Sequence, residues 1–416
     1  MNILFLVKFY TPFDRGGSEW STRDLAYLLT KDGHKVTIVT PNYSARSQEI
    51  IDGINIVRFP FPIKLNSPKS SIAPFWTSNI IWYILSTIYC LYISLKNRYD
   101  IIHVQNNEFL PAGVISAKIL GKKTVATFRD YQAICNLGFC LWKSNKACTF
   151  EKYLDEDFKF FYENYVSPKT LPKYYLLKMA AVRGRFAQKI LYFFAKKIDY
   201  KIAVSKKVKE IFETNGIRDL KVINNPIIIK SSPANHTNNK IIFVGKLSRG
   251  KGADILIETI PGVLSELNGV TFEIIGTGYL EKFLKDYAKE KGINSKITFA
   301  GHLAHSEVLE KISISAIVVV PSVWPEPLPR SVIEAILSGI PVVATKVGGI
   351  SEILQGGRYG VLSQPNKGAL ESAIIEGYRK REILAKNIKK DLDTLKAHFS
   401  EDAQKAYEGV YQEATQ

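Results

Sequence analysis

Residues 316–354 read AIVVVPSVWPEPLPRSVIEAILSGIPVVATKVGGISEIL. The run Ala316–Val320 is continuously apolar and of strand length. A Pro-rich turn follows, and then a stretch whose apolar spacing predicts a helix starting near Arg330 or Ser331. Gly339 and Pro341 end that helix, and Pro341–Ala344 is a second short apolar run. Strand, helix and strand in such close succession form the unit of a parallel sheet covered on both faces.

The same grammar extends in both directions. Upstream, strands are predicted at Ile241–Val244, Thr271–Ile275 and Ile297–Ala300, with helices over Ala253–Leu267 and Tyr279–Lys291. Nearer the start, strands are predicted at Asn2–Val7, Val36–Thr40, Ile54–Phe59, Ile101–Val104 and Lys123–Phe128. A helix follows the Gly16–Gly17 loop, with the Ser18 hydroxyl as its expected cap, and ends near Gly33; another covers Pro111–Leu120. The grammar breaks between Pro226 and Asn239, where Ser231, Ser232, Pro233, Asn235, His236 and Asn238 make a polar linker. This predicts an α/β protein of two Rossmann-like doubly wound domains, residues 1–226 and 227–391, facing a central cleft. Residues 392–416 hold a last helix, about Leu392–Glu413, with no strand after it, expected to cross back to the first domain. Ligands in such sheets bind at the carboxyl ends of strands.

Length and composition agree with two domains. The chain has 416 residues, against about 100–200 per domain. Hydrophobic residues make up 46% and charged residues 23%, which excludes disordered, collagen-like and coiled-coil classes. The net charge of +17 points to anionic partners: phosphorylated small molecules, nucleic acid or a lipid surface. Four cysteines are too few for a disulfide scaffold and fit a reducing, cytoplasmic setting. The apolar start Met1–Val7 is short, so no signal peptide is expected.

Two segments depart from the pattern. Ile80–Leu95 (IIWYILSTIYCLYISL) is apolar on every side yet shorter than the roughly 20 residues a membrane span needs. The favoured reading is a helix buried against the sheet; the other is a helix that touches a membrane. Lys169–Lys209 interleaves Tyr174, Tyr175, Phe186, Tyr192, Phe193 and Phe194 with many Lys and Arg. It reads either as a solvated basic helix or as a surface resting on anionic lipid.

Four motifs carry chemistry. Glu334 lies about one turn inside the helix after the Pro-rich turn, and Glu326 lies in the loop ahead of it. A carboxylate can accept two hydrogen bonds from a vicinal diol of a ribose or hexose. The helix start, with Arg330 and Ser331, favours an anion. The second motif is VGKLSRGKG, Val244–Gly252, between a strand and a helix. Gly245 allows a ligand close to the backbone, and Lys246 with Lys251 can neutralise a diphosphate without a metal. Its spacing is not that of a Walker A loop. The third is Gly16–Gly17–Ser18–Glu19, two glycines before a helix, and the fourth is TFRD, Thr127–Asp130, with His103 at a neighbouring strand end. Cys135, Cys140 and Cys148 fit no common zinc spacing, so no metal is expected.

With IIGTG at Ile274–Gly278 and FAGH at Phe299–His302 added, the sequence resembles the family 4 glycosyltransferases of the GT-B fold (glycosyl transferases group 1) over nearly its whole length. The resemblance implies a retaining enzyme that uses a nucleotide-diphosphate sugar as donor and needs no cofactor. The second domain would hold the donor and the first the acceptor. Glu334 would take the ribose hydroxyls, Glu326 the donor sugar, Lys246 and Lys251 the diphosphate, and the Gly17 backbone the phosphates. Three positions depart from the family's habit: Lys246 stands where Arg is common, Pro329 where Gly is frequent, and Arg129 where many members have His. Arginine stays protonated, so Arg129 cannot serve as a base, though it can hold a phosphate or an anionic acceptor. Catalytic candidates are therefore Glu326, Arg129 and Lys251; His103 and Asp130 are acceptor-side candidates.

The expected activity is transfer of a hexose-type sugar to a glycan or lipid-linked acceptor at the inner face of the cell membrane. Rivals are a sugar-nucleotide epimerase of the same fold and a non-catalytic sugar-nucleotide-binding module. A nucleic-acid-binding role finds no motif, and the basic residues are spread along the chain.

Overall fold

The structure, a computed structural model, describes residues 1–14, 16–65, 76–138, 141, 147–166, 169–229 and 239–416, without the side chains of Asn164 and Tyr165. Cys140 and linker residues 231–238 lie outside them. The chain divides into two compact units: Met1–Ile227 together with Phe399–Gln416, and Ile228–His398.

Unit 1 holds β1 (Asn2–Leu6), α1 (Gly17–Lys31), β2 (Lys35–Asn42), β3 (Gln48–Ile51), β4 (Ile54–Pro60), α2 (Ile80–Lys96), β5 (Ile101–Val104), α3 (Leu110–Leu120) and β6 (Lys123–Phe128). It continues with α4 (Leu171–Lys197), β7 (Tyr200–Ala203), α5 (Lys206–Thr214) and β8 (Leu220–Val222). The sheet order is β3-β4-β2-β1-β5-β6-β7-β8. Every neighbouring pair is parallel except the edge pair β3–β4. The crossovers through α2, α3 and α4 all step the same way along the sheet, so the right-handed rule sets these three helices side by side on one face. Accordingly, α3 packs against both α2 and α4. The α1 crossover steps the other way and lies on the opposite face.

Unit 2 holds β9 (Lys240–Val244), α6 (Ala253–Glu266), β10 (Thr271–Ile275), α7 (Glu281–Glu290), β11 (Ile297–Gly301), α8 (His305–Ser313), β12 (Ile317–Val320), α9 (Arg330–Leu337) and β13 (Val342–Thr345). It closes with β14 (Gly360–Ser363), α10 (Lys367–Arg379) and α11 (Arg381–Ala397). Its sheet is wholly parallel, ordered β11-β10-β9-β12-β13-β14. The order reverses between β9 and β12, which makes the carboxyl ends of those two strands the switch point where ligands of such sheets sit.

A π-helical turn, His398–Asp402, leads to α12 (Ala403–Thr415), which packs on α1 in unit 1. Tyr407, Val410 and Tyr411 join Leu25, Ile38 and Ile101 in one core cluster there. The predicted helical stretch Leu392–Glu413 is thus helical throughout, with one π-helical turn inside it.

One expectation fails locally. The Ser18 hydroxyl does not cap α1: the helix opens at Gly17, and Gly16 in the cap position makes no side-chain bond. Ile80–Leu95, expected as a buried helix, is a helix with one buried and one exposed face. Its cap is Asn79, which accepts from the Trp82 amide at 2.9 Å. The buried face carries Ser86, Thr87 and Ser94 beside Trp82, Tyr83, Cys90 and Ile93, whereas Ile80, Ile81, Ile84 and Ile88 point outward.

Candidate active site

At the carboxyl end of β9 the chain runs through Gly245, Lys246 and Leu247 into a tight turn at Arg249–Lys251 and then α6. The turn is held against the loop after β12, since the amides of Val323 and Trp324 both donate to the Gly250 carbonyl, at 2.9 and 3.1 Å. Gly252 makes this approach possible. Its φ is +67°, and an added Cβ would stand 1.9 Å from the Pro321 carbonyl oxygen, a separation no side chain survives. At Gly245, read from the sequence as the point of closest approach, an added Cβ would meet only the Phe243 ring, at 3.3 Å.

Docking the two loops brings Lys251 to Glu326. The ammonium lies 2.5 Å from Glu326 Oε1, and the Ser322 hydroxyl donates to the same oxygen at 2.7 Å. From the other side, the Gly349 amide donates to the Glu326 carbonyl at 2.8 Å, and Gly348 (φ +55°) leaves that oxygen no room for a Cβ. The side chain of Glu326 is 6% exposed and that of Lys251 39%.

A second cluster forms one turn into α9. Glu334 Oε1 accepts from Arg330 Nε at 2.6 Å and contacts His305 Nε2 at 2.7 Å. Arg330 and Glu334 are i,i+4 neighbours, and both are buried, which a charged pair tolerates only with good mutual geometry. Oε2 of Glu326 and of Glu334 makes no hydrogen bond among the described residues. Each acid therefore keeps one oxygen available to a ligand hydroxyl. Ser331 is half-buried at the start of α9. Lys246, predicted to work as a pair with Lys251, is exposed and makes no ion pair among the described residues. His305, at the start of α8, was not singled out from the sequence; only its place three residues after FAGH could have drawn attention to it.

The candidates of unit 1 separate into two groups. His103 is a correction: it is fully buried, and neither ring nitrogen faces a space for a ligand. Nδ1 is 2.8 Å from the Tyr411 hydroxyl and Nε2 is 2.8 Å from Thr127 Oγ1. Burial and the charge of Arg129 hold its pKa well below the usual imidazole value, so the ring is neutral. Its tautomer follows from its neighbours. Arg129 Nη1 donates to Gln105 Oε1, which turns the Gln105 amide nitrogen toward His103 Nδ1 at 3.1 Å. Nδ1 must then accept, and the proton sits on Nε2, donated to Thr127.

Arg129 is itself buried. Nε donates to Asn225 Oδ1 at 2.7 Å, while Nη2 is enclosed without a partner among the described residues. Burial pulls its pKa below the usual guanidinium value.

Asp130 belongs to a different cluster, at the ends of β1, β5 and β6. Its Oδ1 accepts from Asn107 Nδ2 at 2.6 Å and from the Gln132 amide at 2.8 Å, and Lys8 forms an ion pair with buried Glu108 nearby. Burial, then the Glu108 carboxylate, pushes Asp130 up to about 6 from 3.8. The neutral acid is therefore the form the fold prefers. Its contribution to stability is complete below pH 4 and lost as pH rises through about 6. Asp130→Asn should raise the melting temperature at pH 8 by the equivalent of about 1–2 kcal/mol, discounted because the group is half-buried, and leave it unchanged at pH 4. Thermal melts across that range check this; a gain of the same size at both pH values would contradict it.

Gly17 is half-buried and is the first residue of α1. Cys135, Cys148 and Asp157 gather in unit 1 with ligand-capable atoms within 4.8 Å of one another, all buried.

Comparison with known proteins fits this geometry. Residues 15–230 match the family described as Glycosyltransferase Family 4, and residues 224–391 match Glycosyl transferases group 1. The chain belongs to glycosyltransferase family 4 and is a glycosyltransferase. An uncharacterized glycosyltransferase of Methanocaldococcus jannaschii is 26% identical over 403 residues, covering 94% of this chain and 93% of its own. Among solved structures, sucrose-phosphate synthase from Thermosynechococcus elongatus superposes with a TM-score of 0.71 at 17% identity, covering 99% of this chain and 98% of that one. Anabaena HepE, solved in complex with UDP-glucose, gives 0.67 at 20% identity, covering 99% and 100%. The fold is GT-B, two parallel-sheet α/β domains.

Proposed function

We propose that this protein is a retaining hexosyltransferase that takes its sugar from a nucleoside-diphosphate donor bound by unit 2 and passes it to a glycan or lipid-linked acceptor bound by unit 1. The reading places it on the cytoplasmic face of the cell membrane. The observation that carries it is the Lys251–Glu326 pair set at the β9/β12 switch point. In this reading a diphosphate draws Lys251 away from Glu326, and the released carboxylate accepts hydroxyls of the donor sugar. Glu334, steadied by Arg330 and His305, takes the ribose diol through Oε2. Lys246 is the second cation for the diphosphate, and Ser331 and Gly245 add hydroxyl and amide donors. Arg129 and Asp130 serve the acceptor side, and Gly17 the phosphates; His103 drops out.

The hard step is cleavage of the bond from the anomeric carbon to phosphate oxygen. Negative charge grows on the leaving diphosphate and positive charge on the sugar. Fixed cations stabilise the first, usually the largest catalytic contribution. With no side chain assigned as nucleophile, the leaving phosphate oxygen receives the acceptor's proton as the acceptor attacks from the same face.

UDP-glucose in the Anabaena relative makes a uridine nucleotide the first donor to try. A ligand that binds only the folded chain raises its melting point, by about 2.7 kcal/mol of stabilisation at a hundred times its Kd. In a thermal-shift panel of nucleoside-diphosphate sugars, at least one should raise the melting temperature, and Lys251→Ala should cut the rise by about half or more. No shift with any donor would remove this reading. Incubation with donor alone, followed by sugar analysis, separates transfer from epimerisation.

A further inference from the structure

Helix α2 is apolar on the face it exposes and mixed on the face it buries. The face it buries carries Ser86, Thr87 and Ser94 among Trp82, Tyr83, Cys90 and Ile93. The Ser86 and Thr87 hydroxyls are spent on the Tyr83 carbonyl, at 3.2 and 2.6 Å. The face it shows outward carries Ile81, Ile84, Ile88, Tyr92 and Leu95, each between 52% and 72% exposed. These recur at helical spacing, so they form one continuous stripe. No Asp, Glu, Lys or Arg interrupts the helix before Lys96. A stripe of that size on a monomer marks a contact surface.

The neighbouring helices say what it contacts. Because α2, α3 and α4 lie side by side on one face of the sheet, the stripe continues into theirs. α3 adds exposed Ile119, and α4 adds exposed Tyr175, Leu176, Met179, Phe186 and Phe193. Between them run cations: α4 has Lys173, Lys178, Arg183, Lys189, Lys196 and Lys197 and no acid at all. The lysine stems lie along aromatic rings, with Lys189 Nζ 5.5 Å from the centre of Phe186 and Lys197 Nζ 5.7 Å from that of Phe193. A groove between α3 and α4 is lined by Lys118, Ile119, Lys122, Phe193 and Lys197. Apolar tips flanked by snorkelling ammonium groups suit a layer that is greasy inside and negative at its rim. A second copy of this chain does not suit it, because face-to-face packing would set the cations of α4 against one another. The helix is 17 residues long, and no helix among the described residues is long and apolar enough to cross a bilayer.

We propose that the outer faces of α2, α3 and α4 form a docking surface for an anionic lipid bilayer, with Ile81, Ile84 and Ile88 of α2 entering the acyl boundary and the α4 lysines lying on the headgroups. The surface stands on these residues alone; its purpose, to bring unit 1 to a membrane-borne acceptor, rests on the function proposed above.

The test is sedimentation of the full chain with vesicles of equimolar phosphatidylglycerol and phosphatidylcholine, and with phosphatidylcholine alone. Binding should be strong to the anionic vesicles at low salt, weaker to the neutral ones, and reduced by added salt. Each lysine near such a surface is worth about fivefold in affinity, so the triple change of Lys189, Lys196 and Lys197 to Ala should cost roughly a hundredfold. Ile84→Glu with Ile88→Glu should cost at least about tenfold, since both would carry charge into the acyl boundary. Both sets are exposed, so their melting temperatures should match that of the wild type. The proposal is overturned if the wild type stays in the supernatant with anionic vesicles at low salt, or if both variants sediment as it does. It is also overturned if the isoleucine variant converts a dimer to a monomer without altering vesicle binding. A nucleotide-sugar thermal shift on the same samples keeps the two proposals distinguishable, because donor binding can survive loss of vesicle binding and the reverse.

Discussion

Lys251→Ala is expected to lower kcat/KM for transfer from the nucleotide-sugar donor by about 10- to 150-fold, the equivalent of one charge-assisted hydrogen bond to a diphosphate. The fold should barely notice. The Lys251 side chain is 39% exposed, and an ion pair so open to solvent contributes little to stability. Glu326 keeps the Ser322 hydroxyl at 2.7 Å when the ammonium is gone. Lys251→Arg should recover part of the loss, since the charge returns with a different reach. Glu334→Ala makes the complementary case. It should reduce donor-dependent turnover by at least tenfold, and it should also lower the melting temperature, because buried Arg330 loses the carboxylate facing it. Two effects at Glu334 and one at Lys251 is the pattern a working cation and a structurally embedded acid should give. Steady-state kinetics alongside thermal melts check both, and near-normal turnover in two folded variants would remove the donor site.

Much of this site could be read from the amino acids, because β9 and β12 are short apolar runs and the loops after them are rich in Gly, Pro and charge. Ile101–Val104, Lys123–Phe128 and Thr271–Ile275 occur as strands with the predicted bounds. The strands that escaped notice are β3, β7, β8 and β14. They are three or four residues long, and the first three carry polar side chains that blur the apolar signal. Periodicity could not orient α2 either, since its only polar residues before Lys96 are hydroxyl-bearing ones, and of these Ser86, Thr87 and Ser94 lie on the buried face.

His103 shows a different limit. Its place at the end of a strand was legible, but all four residues of β5 are buried, so position along the strand said nothing about access. What closes over it is the hydroxyl of Tyr411, 308 residues away. Lys251 and Glu326 meet across 75 residues of sequence, yet their meeting was foreseeable because both belong to loops at one switch point. No such rule points from β5 to the last helix of the chain.

Tyr411→Ala tests that long-range closure and should be among the most destabilising single changes in the protein. The ring is fully buried, lies edge-on to His103 with centroids 5.7 Å apart, and packs beside Tyr407. Removing a buried aromatic costs about 3–5 kcal/mol. In a domain of this size that corresponds to a fall of roughly 6–20 °C in melting temperature. Tyr411→Phe should cost only about 1 kcal/mol, because the ring stays and His103 Nδ1 still accepts from Gln105. The ratio between the two variants decides whether α12 is held by packing or by its hydroxyl. Where the loss falls is the sharper readout. Residue 411 follows unit 2 in the chain but joins the core of α1, β1, β2 and β5. Amide hydrogen exchange in Tyr411→Ala should therefore accelerate in those elements and leave β9, β12 and β13 protected as before. Faster exchange confined to unit 2, or to α12 alone, would show that the last helix is not part of the first unit's core.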